Sequence, residues 1–151
     1  MKKSNVIQFT IIFFFVMIIS GYYASIYYFD VIKPNKIAKQ YNMDLIDNRS
    51  GPYYKIYYGK KYDKNKNCYL IYVRNIDNPY IVYEAEGITK QDAIHTAETY
   101  GYNSEHVLLR VNTQSKVDSI KEHLSWWVYY DRVNAKYIEI DFVSGKVTAI
   151  H

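Results

Sequence analysis

The groups in this sequence that could do chemistry are few, and their spacing does not favour it. Histidine occurs at His95, His106, His123 and His151. None falls in an H-x-x-x-H or C-x-x-C context, so neither a structural zinc nor a catalytic metal is expected. Cys68 is the single cysteine, which excludes a disulfide within the chain. In its Tyr- and Ile-rich surroundings it reads as a small core residue and not as a nucleophile. Glu139 and Asp141, two residues apart, would share one face of a strand. That spacing could serve acid–base work or hold a cation, but two carboxylates on a solvated strand more simply keep that face wet. There is no G-x-S-x-G, no Walker loop and no dinucleotide fingerprint, and six glycines leave little material for a phosphate cradle. No catalytic residue, no metal ligand and no cofactor is therefore expected.

Binding chemistry is better represented. Trp126 and Trp127 are adjacent, so in a strand they point to opposite faces. One is expected to fill the core and the other to remain on the far side, where Tyr129 and Tyr137 would extend an aromatic patch. Trp126, Trp127, Tyr129 and Tyr137 are accordingly the candidate protein-interface residues, because Trp and Tyr dominate binding hot spots. The alternative is that the rings pack on neighbouring strands or lie under a helix. The 19 tyrosines are spread along the whole chain. Abundant Lys, Asn, Ile and Tyr together fit an AT-rich genome, and the physical result is a sheet faced with large amphipathic rings.

The element that positions everything else is at the N-terminus. No charged residue occurs from Ser4 to Phe29, and Phe9 to Gly21 is almost continuously apolar. Residues 6–29 supply about the 20 apolar positions that a helix needs to cross ~30 Å of hydrocarbon. Tyr22, Tyr23, Tyr27 and Tyr28 stand where an interfacial aromatic belt belongs. Residues 1–5 would form a short cytoplasmic tail carrying Lys2 and Lys3, although Lys33, Lys36 and Lys39 on the other side make the charge bias nearly even. Those three lysines could touch anionic lipid or wall polymer, or simply flank the helix. A cleaved signal peptide is the rival reading; the long apolar run and the poor cleavage site at Gly21 to Ile26 favour an uncleaved anchor.

Beyond residue 29 remain 122 residues, room for one domain or two very small ones. They carry 17 basic and 15 acidic side chains, a balance that argues against a nucleic-acid binder. Pro34 is expected to mark the exit from the membrane, with Asn35 capping a juxtamembrane helix to about Met43 and a breaker-rich loop from Asp47 to Pro52, so that residues 30–50 serve as helix and linker. Tyr53–Tyr58 and Tyr69–Arg74 read as a hairpin with a long charged tip, and Tyr80–Tyr83 as a third short strand. Thr89 with Asp92 makes a capping box for a helix whose apolar face is Ala93, Ile94, Ala97 and Tyr100, stopped by Gly101. Val107, Leu109 and Val111 alternate as in a strand, and the polar connection 113–123 has room for a helical turn. Trp126–Tyr130 and the return strand holding Ile138, Ile140 and Phe142 form a hairpin, and Ser144 to Lys146 turn the chain into Val147–Ile150. The fold class is α+β, a helix laid on an antiparallel sheet.

Two stretches carry a family pattern. The segment GITKQDAI (87–94) with Ala97, followed by WVYY (127–130) and YIEIDFVSGKV (137–147), resembles a PepSY-type domain, and the ending from Asp141 to Gly145 and Lys146 is its most recognisable part. With the anchor and the preceding strands, the chain from residue 6 onward resembles the TseB-like cell-wall elongation regulators of Gram-positive bacteria. The resemblance implies two small PepSY/cystatin-like units, a degenerate one over 51–86 and a better one over 87–151. It implies an N-terminus in the cytoplasm and a C-terminal part outside it, anchored by a single pass in the cell membrane. It further implies a non-enzymatic module that regulates wall elongation by binding a penicillin-binding protein or another wall-synthesis protein. PepSY domains in protease propeptides leave a second reading, an inhibitor or chaperone-like modulator of a surface or secreted protease. The family defines no catalytic residues, and the oligomeric state is not legible.

Overall fold

The computed structural model describes residues 3–151, with the side chains of residues 10–29 and 31–151. The chain divides into two compact units, residues 1–41 and 42–151.

The first unit is helical. Helix α1 spans Lys3–Tyr27, a π-helical turn follows at Tyr28–Ile32, and α2 spans Lys33–Gln40. Thr10–Tyr27 is long and apolar enough to cross a membrane. The Ser20 hydroxyl donates to the Val16 carbonyl (2.7 Å), so this polar group is satisfied within the helix. The helix does not stop at residue 29 as expected. Pro34 has no N–H, and its ring would crowd the carbonyl four residues back in a regular helix. The π turn just before it, closed by the Lys33 N–H on the Tyr28 carbonyl, takes up that misfit, so the helix continues instead of ending. Asn35 therefore caps nothing; its side-chain amide donates to the Val31 carbonyl at 2.9 Å. The helix runs out at Tyr41, and Asn42 turns the chain with φ +53°. Of the expected cytoplasmic tail over 1–5, residues 1 and 2 lie outside the described residues and Lys3 already belongs to α1.

The second unit holds two four-stranded sheets, each antiparallel throughout, in the orders β1-β2-β3-β4 and β5-β6-β7-β8. Strands β1 (Met43–Ser50), β2 (Tyr54–Lys61), β3 (Lys66–Val73) and β4 (Tyr80–Tyr83) make the first sheet. The expected linker over residues 43–50 is thus strand β1. It pairs along β2 with a bulge between Leu45 and Asp47, and its polar residues are tolerated because an edge strand needs only one partner. At the bulge β1 approaches so closely that a Cβ at Gly59 would collide with the Asp44 carbonyl. The β2–β3 tip is also shorter than expected, four residues from Tyr62 to Asn65, because Lys60 and Lys61 pair with Asn67 and Lys66.

Helix α3 (Lys90–Thr99) starts at the expected box: the Asp92 N–H donates to the Thr89 hydroxyl, and the Thr89 N–H to the Asp92 carboxylate. It ends where Gly101 takes φ +84° and the N–H groups of Gly101 and Tyr102 reach the Glu98 and Ala97 carbonyls. Ala93 and Ala97 are fully buried, whereas Tyr100, expected on that apolar face, sits past the last turn and is 55% exposed. The second sheet follows as β5 (His106–Val111), β6 (Leu124–Asp131), β7 (Lys136–Asp141) and β8 (Val147–Ile150), with a 3-10 turn at Ile120–His123.

One hydrophobic cluster joins both sheets and α3. Tyr54, Ile56, Tyr69 and Ile71 from the first sheet meet Leu109, Trp126, Val128, Ile138 and Ile140 from the second. The Tyr69 ring packs edge-to-face on Trp126 (6.4 Å) and Phe142 (6.1 Å), across the two sequence units. Each such buried side chain stabilises by about 1.5–3 kcal/mol. On the other face of the first sheet Cys68 is buried beside Met43, sulfur to sulfur 3.6 Å, and burial pushes its thiol pKa up. That keeps it protonated and unreactive.

Candidate functional site

The alternation of β6 and β7 builds the site. Trp126, Val128, Ile138 and Ile140 point inward and are buried. Trp127, Tyr129, Tyr137 and Glu139 point outward and are half-buried. Register then brings the outward residues of four strands into rows: His106, Tyr129 and Tyr137 in one, Leu108, Trp127, Glu139 and Ala149 in the next. His151 joins the first row, its backbone N–H and carbonyl both bonded to Tyr137.

The rings on this face stack diagonally across strands. Trp127 and Tyr137 are 4.0 Å apart and nearly parallel, at 10°. His151 continues the stack on Tyr137 at 4.5 Å. On the other side the Arg110 guanidinium lies 4.2 Å over the Trp127 ring. Tyr129 closes the patch at 5.3 Å from Tyr137, with His106 6.2 Å further out. Arg110, Trp127, Tyr137 and His151 thus form one ladder across β5, β6, β7 and the end of β8. Its polar margin is fixed: the Trp127 indole N–H donates to the Ser125 hydroxyl (3.1 Å), and the Asn112 amide donates to Ser125 (3.0 Å) and to the Glu139 carboxylate (2.7 Å). Burial, helped by Glu139 and Tyr129, pushes the Tyr137 hydroxyl pKa up, so it stays a neutral donor. Burial also holds His106 below its usual pKa, and the charges of Arg132, Arg49 and Lys90 act the same way.

Of the four candidate residues, Trp127, Tyr129 and Tyr137 come together on this face. Trp126 does not: it is 4% exposed, and its indole N–H donates to the Ile88 carbonyl at 3.1 Å. It belongs to the core because Ile140 and Leu109 flank it in register. Arg110 and His151 complete the ladder but were not singled out from sequence. Their signal was present for Arg110, which alternates outward from Val107 and Leu109; His151 required the β7–β8 register. Asp141 is committed to its own turn, where its carboxylate accepts the Ser144 N–H and hydroxyl, both at 2.6 Å. Glu139 holds Asn112. His95 is exposed, 3.8 Å from Glu98. Among the described residues, no three His, Cys, Asp or Glu side chains gather at a point.

Fold and face together define a class: a small α+β protein with one span-capable N-terminal helix and two four-stranded antiparallel sheets, the second displaying an aromatic ladder. No protein-family model matches the sequence, and no curated protein matches it. Among solved structures the fold is similar to the YpmB protein from Bacillus subtilis, with a TM-score of 0.55, 18% identity, and coverage of 80% of this chain and 94% of that one. At that identity the likeness speaks for the fold.

Proposed function

We propose that this chain is a non-enzymatic binding module, anchored in the cell membrane by a single pass with its sheets outside the cytoplasm, that regulates wall elongation by engaging a penicillin-binding protein. The observation that carries the reading is the Arg110–Trp127–Tyr137–His151 ladder, half-exposed on a sheet whose other face packs into the core. Its rings are fixed by stacking and by Ser125, so little rotamer freedom is lost when a partner binds. The fold likeness to YpmB supports the TseB-like resemblance of the sequence, and Thr10–Tyr27 supports the anchor.

Co-purification from intact membranes tests this. The full chain should enrich a penicillin-binding protein, and Trp127→Ala with Tyr137→Ala should abolish the enrichment while the chain stays folded and membrane-bound. Equal enrichment by the double variant, or none by the parent chain, would remove the reading.

A further inference from the structure

A second feature lies away from the ladder, between the free edges of the two sheets. A cleft of about 250 Å³ opens between β1 and β5. Its floor is apolar and aromatic: Ile56, Tyr69, Leu109 and Trp126. Its polar groups are Arg49, Tyr58, Glu84 and Lys90. The volume falls below the ~300–1,000 Å³ of pockets that take drug-sized ligands, which matches one or two amino-acid residues better than a large cofactor.

The wall of the cleft is a strand edge with unused backbone groups. Asn112 N–H donates to the His123 carbonyl at 2.8 Å, and Arg110 and Leu108 continue that register against Ser125 and Trp127. In an antiparallel pair the intervening residues turn their N–H and C=O away from the partner strand. Val107 and Leu109 therefore present theirs to the cleft. Among the described residues, their hydrogen-bonded cover is the Arg49 guanidinium, which reaches the Val107 carbonyl at a long 3.3 Å.

The charges in the cleft are unequal in what they still lack. Asp47 is paired with Arg49 at 3.1 Å. Glu84 accepts the Tyr58 hydroxyl at 3.1 Å and the Asn67 amide at 2.9 Å. Burial and that bond to Glu84 push the Tyr58 hydroxyl to about 12, so it remains a donor to the carboxylate. The Lys90 ammonium meets no acceptor among the described residues, and it stands at the start of α3 beside an apolar floor. Both carboxylates of the cleft are thus hydrogen-bonded, and the Lys90 ammonium is the charged group left without an acceptor among the described residues.

We propose that this cleft binds the C-terminal end of an extended peptide: its last apolar side chain on Trp126 and Leu109, its backbone along the free edge of β5, and its terminal carboxylate on Lys90 and Arg49. Strand addition supplies affinity and the carboxylate supplies the end-specificity, a combination of two known modes of peptide capture. The proposal stands independently of what binds the ladder, since the two sites use opposite faces of the second sheet.

The chain has two tryptophans, so Trp127→Phe leaves Trp126, in the cleft floor, as its only indole. That full-length variant in detergent micelles is titrated with acetyl-Gly-Val-Leu and with the same peptide as its C-terminal amide. The free acid should give a saturable change in Trp126 emission, with the amide at least tenfold weaker. Lys90→Glu should weaken the free acid at least tenfold and bind the aminoethylamide of the same peptide instead. A glutamate in the first turn of α3 suits the helix dipole, so this variant keeps the fold. Equal binding of acid and amide, no saturable change with either, or unaltered affinity in Lys90→Glu would each overturn the proposal. Failure here leaves the ladder reading standing, because that reading is tested through Trp127 and Tyr137.

Discussion

Gly87 sits where the ring and carbonyl of Phe142 leave no room for a Cβ, and the next N–H, of Ile88, donates to that same carbonyl at 2.8 Å. Gly145, at φ +69°, lies against Ile88 from the other side. Gly87, Phe142 and Gly145, which belong to the stretches that carry the family resemblance, thus hold the start of α3 on the β7–β8 turn. Gly87→Ala should cost about 1–3 kcal/mol through overpacking, read as a lowered urea midpoint of the chain in micelles. Thr89→Ala removes one side of the capping box and should cost about 0.5–2 kcal/mol by the same measurement. His106 gives the pH dependence. Its folded pKa lies below the 6.5 of the free side chain, through burial first and then through Arg132, Arg49 and Lys90. The unfolded chain therefore takes up the proton more readily, so stability from this group is full above pH 6.5 and declines as the pH falls below it. The melting temperature should drop between pH 7 and pH 5, and His106→Gln should flatten that drop.

At the scale of elements, the pair β6–β7 shows how far the sequence could be read. Strict alternation in residues 137–142 separated an apolar face from a polar one, as the structure has it, but the adjacent tryptophans left open which of the two points inward, and Trp126 proves to be the core residue. The two faces predict different costs. Trp126→Ala opens the core and should cost about 3–5 kcal/mol, whereas Trp127→Ala leaves no core cavity and loses surface contacts, its ring pairs worth about 0.5–1.5 kcal/mol each and the Ser125 hydrogen bond, and should cost less; urea unfolding of the two variants separates them. Strand β1 was not legible, because Met43–Ser50 lacks alternation and holds Asp, Asn and Ser. It forms by pairing on the free edge of β2, a tertiary cause that no local pattern records. The helical break at Pro34 was misplaced for a related reason: proline ends a helix only when no π turn absorbs its ring.

For the whole molecule, the two sequence units are one body from residue 42 onward, since Tyr69 of the first sheet packs on Trp126 and Phe142 of the second. Repeating patterns along a chain cannot reveal a shared core, because that depends on which faces meet. The ladder was half-legible: its two rings on β6 and β7 follow from alternation, but Arg110 and His151 come from elements far apart in sequence and needed the sheet register. This face, and not the rest of the surface, is expected to meet the partner. A photo-reactive residue placed at Tyr137 in intact cells tests that most directly, with Tyr100, exposed beyond the end of α3, as the comparison. Crosslinks to a penicillin-binding protein from position 137 and none from position 100 are the predicted result; no such product from 137, or the same product from both, would contradict it.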